Sequence, residues 1–220
     1  MNSQYLSKDG DCLSFRSLDD FNTAVQNLDL SVPARDDARK SYHRERVCAV
    51  RYLKAAILYS QIDFPFSICK SESPDFILHL SNGKTIGLEH RDISTEEWQE
   101  SLTCMAKKLR EEPILFGNLP GSDWDQDQVN SEWARLALFA VSDKIEKLNG
   151  PHYKKLDSYE LLLYSNTGLP NITQDDAMSK LSHEFNNKYA STNFDRLFQS
   201  LTIIYGDEVW LRRLHFRNAS

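Results

Sequence analysis

The sequence predicts an α/β domain built on a mixed central β-sheet flanked by helices. Two kinds of periodicity carry that expectation. Apolar residues recur at spacings of three and four in long stretches, through Val50, Leu53, Ala56 and Ile57, through Trp98, Leu102, Met105 and Leu109, and from Trp133 to Ile145. Between them lie short apolar runs bounded by turn residues, at 64–69, 75–91, 159–164 and 202–211. Their order along the chain (helix, three strands, two helices, strand, helix, two strands) is that of an α/β fold.

The 220 residues suffice for one well-buried core. Residues 1–34 read as a peripheral segment and 35–220 as the single domain. No apolar run approaches the roughly 18 residues that span a bilayer, so no membrane association is expected. The start of the chain has no basic-then-apolar leader pattern. Cys12, Cys48, Cys69 and Cys104 are scattered without a CxxC pair, which predicts reduced thiols in a cytoplasmic protein and no sulfur-built metal site. The net charge of −6 argues against a protein coated in nucleic acid, although a local basic stripe can bind DNA within an acidic whole.

In order, Ser17-Leu-Asp-Asp20 is a capping box with Asp in the Glu place and opens a short helix to about Gln26. A longer helix is expected over 35–60. Its first part holds Arg35, Arg39, Lys40, Arg44, Arg46, Arg51 and Lys54 against three acids. A solvated face is the simpler reading of this stripe. The functional reading is a surface that tracks a nucleic-acid backbone, with Arg39, Lys40, Arg44 and Arg51 as its contacts. Glu45, an acid among these cations, is a candidate third ligand or one side of an intrahelical ion pair.

Ser94-Thr-Glu-Glu97 caps the next helix, which runs to about Pro113. Residues 113–130 read as a polar loop, and Asn130 as the cap of a helix stopping at Asn149-Gly150-Pro151. Tyr159 to Tyr164 is a continuous apolar strand, as expected for one buried on both faces. A helix over Asp175–Tyr189 and a hairpin turning at Gly206-Asp207 close the pattern.

The centre of the chain is the hairpin at 75–91. Asn82-Gly83 between two alternating runs is a strong turn signal. Antiparallel pairing about that turn brings Asp75 and Glu89 to the same end. Alternation puts Glu89 and Arg91 on one face and Leu88 and His90 on the other. Two convergent carboxylates suit a hard divalent cation such as Mg²⁺, which takes oxygen ligands, water and phosphate. Such an ion lowers the pKa of a bound water and neutralises charge on a scissile phosphate. Arg91 has the planar fork of donors that grips a phosphate.

Pro74-Asp75, thirteen intervening residues, then Glu89-His90-Arg91 resembles the PD-(D/E)XK motif of the restriction-endonuclease-like nucleases. The resemblance is tightest over about 40–111. It implies a restriction-endonuclease-like sheet, with Asp75 and Glu89 as ligands of Mg²⁺ (or Mn²⁺) and His90 offering its backbone carbonyl. An acid on the preceding helix often completes the site, which is the place Glu45 occupies. The family's Lys is Arg91 here. Arginine cannot serve as a base, though it can steady a phosphate or hydroxide. Lys107 and Lys108 lie on the helix that packs near the site in the family. The function implied is a metal-dependent endonuclease hydrolysing DNA, with specificity from loops, a homodimer or a protein partner. The alternative is an inactive module of the same fold that binds nucleic acid or a protein.

Other features carry less. His79 shares a strand face with Asp75, but a structural histidine is the simpler reading. Asp123, Asp125 and Asp127 lack the Gly and closing Glu of a calcium loop. No phosphate-binding or dinucleotide glycine motif is present.

Overall fold

The computed structural model describes residues 6–33, 40–95, 98, 100, 125–169, 171–192, 194–205 and 208–212. Seven strands form one mixed sheet, in spatial order the same as their order in the chain. They are β1 (Cys12–Phe15), β2 (Phe66–Lys70), β3 (Phe76–Leu80), β4 (Thr85–Ile93), β5 (Ser158–Ser165), β6 (Ser200–Tyr205) and β7 (Glu208–Arg212). Strands β1 to β4 pair antiparallel. The β4–β5 and β5–β6 pairs are parallel, and β7 returns antiparallel. Among the described residues four helices flank the sheet: α1 (Leu18–Asn27), α2 (Ser41–Leu58), α3 (Gln126–Leu148) and α4 (Gln174–Tyr189).

The two faces carry separate cores. One joins α1 and α2 to the sheet through Phe21, Leu53, Phe66, Ile68, Phe76, Leu78 and Leu88. The other joins α3 and α4 through Trp133, Ala137, Val141, Leu181, Leu201 and Ile203. Strand β5 divides between them, Leu162 to the first and Leu161 and Leu163 to the second. Its unbroken apolar run is therefore the signature of burial on both faces.

The segment expected to be peripheral supplies an edge strand of the sheet. Leu6, Phe15, Phe21 and Val25 are buried in the α1–α2 core. Ser17 caps helix α1 as its sequence predicts, its Oγ accepting from Asp20 N at 3.2 Å, while the Asp20 carboxylate accepts from Arg16 N at 3.0 Å, one residue before the place the box expects. The thiol expectation is corrected. Cys12 and Cys69 are directly opposed in the β1–β2 register and are joined as a disulfide. Their distance of 57 residues in sequence hid that pairing. Cys48 is a buried free thiol, which burial pushes up to about 12.

Helix α3 begins earlier than expected. Asp125 is its N-cap, accepting from Gln128 N at 2.9 Å, and Gln128 answers to Asp125 N. Asn130 is thus inside the helix, where its side-chain Oδ1 accepts from Thr173 N at 2.9 Å instead. The helix expected after Ser94 falls largely outside the described residues, as do Lys107, Lys108, Arg35, Arg39 and the turn at Gly206-Asp207.

Candidate functional site

The β3–β4 hairpin closes as its sequence requires. Gly83 has a φ of +81°, a conformation open to glycine without steric cost, and its N–H reaches Leu80 O at 3.0 Å. Asn82 Oδ1 accepts from Lys84 N. The register Phe76↔Leu88 then places Asp75, one residue before β3, level with Glu89 in β4. The N–H of His90 donates to Asp75 Oδ2 at 2.7 Å, which fixes that carboxylate against β4.

Glu89 is buried and points toward the α3 face of the sheet. Lys144 of α3 donates to its Oε1, and Tyr153 Oη donates to its Oε2 at 2.6 Å. Asp75 faces a second lysine. Lys70 Nζ lies 3.9 Å from Asp75 Oδ1 and 3.0 Å from Glu45 Oε2. The same ammonium donates to the carbonyls of Ser71 and Asp75, both at 3.0 Å. Its contact with Glu45 is ionic but not aligned as a hydrogen bond, so among the described residues Glu45 Oε2 is buried without a hydrogen-bonding partner. Glu45 of α2 therefore pairs with a strand lysine that also faces Asp75, while Glu89 is paired with Lys144.

The charge balance shows in the titration of these groups. Asp75 is pushed up to about 7, first by burial and then by the negative charges of Glu89 and Glu45. Tyr153 is raised far above the usual phenol range by burial and by the adjacent Glu89 carboxylate. His90 is driven down to about 3, by burial first and then by Lys144, Arg91 and Lys70, and is neutral.

The remaining predicted residues spread over both faces. Arg91 is partly exposed on the α3 side, with Nη2 at 3.7 Å from Asp143. Arg44 turns inward to Asp92 and lies over the Tyr164 ring. Arg51 is half-buried on α2, and Lys40 is exposed at its start. His79 is exposed and pairs with Thr85 near the turn, at the opposite end of the hairpin from Asp75.

Sequence reasoning passed over Lys144, Lys70 and Tyr153. Lys144 left a readable signal, because it occupies the apolar stripe of α3 between Val141 and Leu148, where a solvated lysine does not belong. Lys70 ends β2 and reaches the acids through the β2–β3 pairing. Tyr153 lies in the α3–β5 loop and carries no periodic signal at all.

Gly87 links this loop to the hairpin. A Cβ there would come within 2.8 Å of Pro74 Cγ and Tyr159 Cδ1. The absent side chain lets Tyr159 lie against β4, where its hydroxyl donates to Lys154 O and accepts from Leu156 N. The rings of Tyr159 and Tyr153 meet edge to face at 5.7 Å. One glycine in β4 thus makes room for the ring that braces the Glu89 partner.

Among the described residues no three or more His, Cys, Asp or Glu side chains are placed together to hold a metal ion. Two features nevertheless fit a hard cation. The donors at the hairpin end are carboxylate oxygens, the ligands Mg²⁺ prefers. Burial and then the charges of Glu89 and Glu45 raise Asp75 despite Lys144, and among the described residues a buried Glu45 oxygen has no hydrogen-bond partner. The chain matches no protein-family model, no curated protein and no solved structure.

Proposed function

We propose that the protein is a divalent-metal-dependent endonuclease that hydrolyses phosphodiester bonds in DNA, on a restriction-endonuclease-like arrangement of β2 to β5. The observation that carries this reading is the ammonium of Lys144 on the carboxylate of Glu89. It supplies, from α3, a lysine beside Glu89, whereas the motif's own last residue is Arg91. The helix–three-strand–helix–strand order and the Asp75–Glu89 juxtaposition support the same reading.

Asp75 and Glu89 would hold Mg²⁺ or Mn²⁺, with the His90 carbonyl beside them and Glu45 close by. The ion would supply an activated water and neutralise charge at the scissile phosphate. The chain's own residues have separate tasks. The His90 N–H orients Asp75, and Tyr153 orients Glu89. Lys144 holds a positive charge where a phosphate oxygen or hydroxide can be steadied. Arg91, partly exposed, is available to a neighbouring phosphate.

A second reading has an observation of its own. Both oxygens of Glu89 already accept hydrogen bonds, and Lys70 sits between Glu45 and Asp75. Such a cluster can be balanced internally, in a module that binds nucleic acid or a protein without cutting. Calorimetric titration with Mn²⁺ separates the two. The endonuclease reading expects ion binding that Asp75→Asn weakens at least ten-fold. Retained DNA binding with no heat from Mn²⁺ would favour the second.

A further inference from the structure

The segment from Gly150 to Asp157 is a surface loop held unusually firmly. Arg196 donates to the carbonyls of Gly150 and Tyr153, at 3.2 and 3.3 Å. Tyr159 Oη donates to Lys154 O at 2.7 Å and accepts from Leu156 N at 2.9 Å. The Tyr153 side chain is tied to Glu89. With Asp157 N donating to Thr85 Oγ1 at 3.3 Å, backbone groups of five of the eight residues are fixed by side chains from outside the loop, while His152, Lys154 and Lys155 remain exposed.

The charges on this loop are one-sided. Its single acid, Asp157, is turned onto Thr85, whose N–H and hydroxyl both donate to it, at 2.7 and 2.8 Å. Among the described residues neither Lys154 nor Lys155 pairs with a carboxylate. Lys154 Nζ donates to the neutral hydroxyl of Ser71 at 2.8 Å, and Ser71 N donates to Asp75 O. One ammonium thus stands next to the residue that precedes the acid cluster. The basic stripe of α2 is less available, since Arg44 is paired with Asp92 and Arg46 is buried.

We infer that the 152–155 loop is a contact surface for the phosphate backbone of DNA, with Lys154 and Lys155 taking phosphates next to Asp75 and Glu89. The inference rests on the endonuclease reading and places the grip on the α3–β5 loop instead of α2. A preorganised loop suits this role, because little ordering entropy is lost on binding. Phosphates complete the pairing that these lysines lack within the described fold.

The test is fluorescence anisotropy of a labelled DNA duplex in EDTA, over a series of salt concentrations. It compares the wild type, Lys154→Gln/Lys155→Gln, Lys155→Glu and Lys40→Ala/Lys54→Ala. Each phosphate contact contributes about 0.9 to the slope of log K against log salt. The expected result is a slope smaller by about 2 in the double loop variant, weaker binding by Lys155→Glu, and an unchanged slope in the α2 variant. Lys155 has no internal partner among the described residues, so its variant guards against a misfolded loop. Wild-type binding with the same slope and affinity in both loop variants overturns the inference and leaves the endonuclease reading standing. No binding by the wild type at low salt, in EDTA and again with Ca²⁺ in place of EDTA, overturns both.

Discussion

Lys144 of α3 donates to Glu89 of β4 across 55 residues of sequence, within an environment nearly closed to water. The pair is a polar tie between β4 and α3, beside the apolar core that joins α3 to the sheet. Breaking one side of a buried ion pair strands the other charge, at a cost of about 3–5 kcal/mol. Lys144→Met is therefore expected to lose stability on that scale. Adding Glu89→Gln removes the stranded charge, so the double variant should recover much of the loss. Urea unfolding of the four proteins measures the coupling, and additive losses would contradict a direct pair.

Opposed titrations at the hairpin end predict a specific pH behaviour. Asp75 is raised from 3.8 to about 7, so in that interval the folded chain keeps a proton that the unfolded chain has released. This contribution makes stability fall as pH rises through the interval. His90 is lowered from 6.5 to about 3, so there the unfolded chain holds a proton that the folded chain excludes. That contribution makes stability rise with pH. The two oppose each other over the overlap of their ranges. Asp75→Asn leaves the rising contribution alone, and urea unfolding at about pH 4 and about pH 6 should show a steeper gain than in the wild type. An identical gain would mean that the Asp75 carboxyl is not elevated.

Gly87→Ala tests the packing that braces Tyr153. Its new Cβ meets the Pro74 ring and the Tyr159 ring, neither of which is the loose end of a flexible side chain. Overpacking of this kind costs about 1–3 kcal/mol. A lower Tm is expected, with weaker edge-to-face contact between Tyr153 and Tyr159 seen in near-ultraviolet circular dichroism. A Tm equal to the wild type would show that the strand can move aside.

The disulfide closes a separation of 57 residues between the edge strand and β2. In the chain-entropy account a loop of that length stabilises the fold by about 4 kcal/mol. Cys69→Ser should lose a large part of this in urea unfolding. Added reductant should lower the wild type to the level of that variant. Equal stability of wild type and variant without reductant would mean that the thiols are not joined.

The fold was legible wherever one face of an element dominates its composition. Ser17 announced α1, Asn82-Gly83 announced the hairpin, and the run from Tyr159 to Tyr164 announced a strand buried on both sides. The pairing of Asp75 with Glu89 followed from the turn position alone. What was not legible depends on contacts distant in sequence. The strand at Cys12–Phe15 is only four residues long, and its partner lies beyond two helices. The start of α3 was obscured because Asp125 and Asn130 are both good caps. Lys144 could have been found as a charge on an apolar stripe. Tyr153 and Lys70 could not, since only the folded chain brings them to the acids.

Cleavage of supercoiled plasmid in Mg²⁺ or Mn²⁺ reads the proposed hydrolysis itself. The comparison sets the wild type beside Glu89→Ala, with folding of each checked by circular dichroism. Nicked and linear products are expected from the wild type, with a rate lower by on the order of 10²-fold or more in the variant, since the carboxylate and its bound charge are lost together. Equal cutting by the two folded proteins, or no cutting by the wild type with either metal, would contradict the proposed hydrolysis.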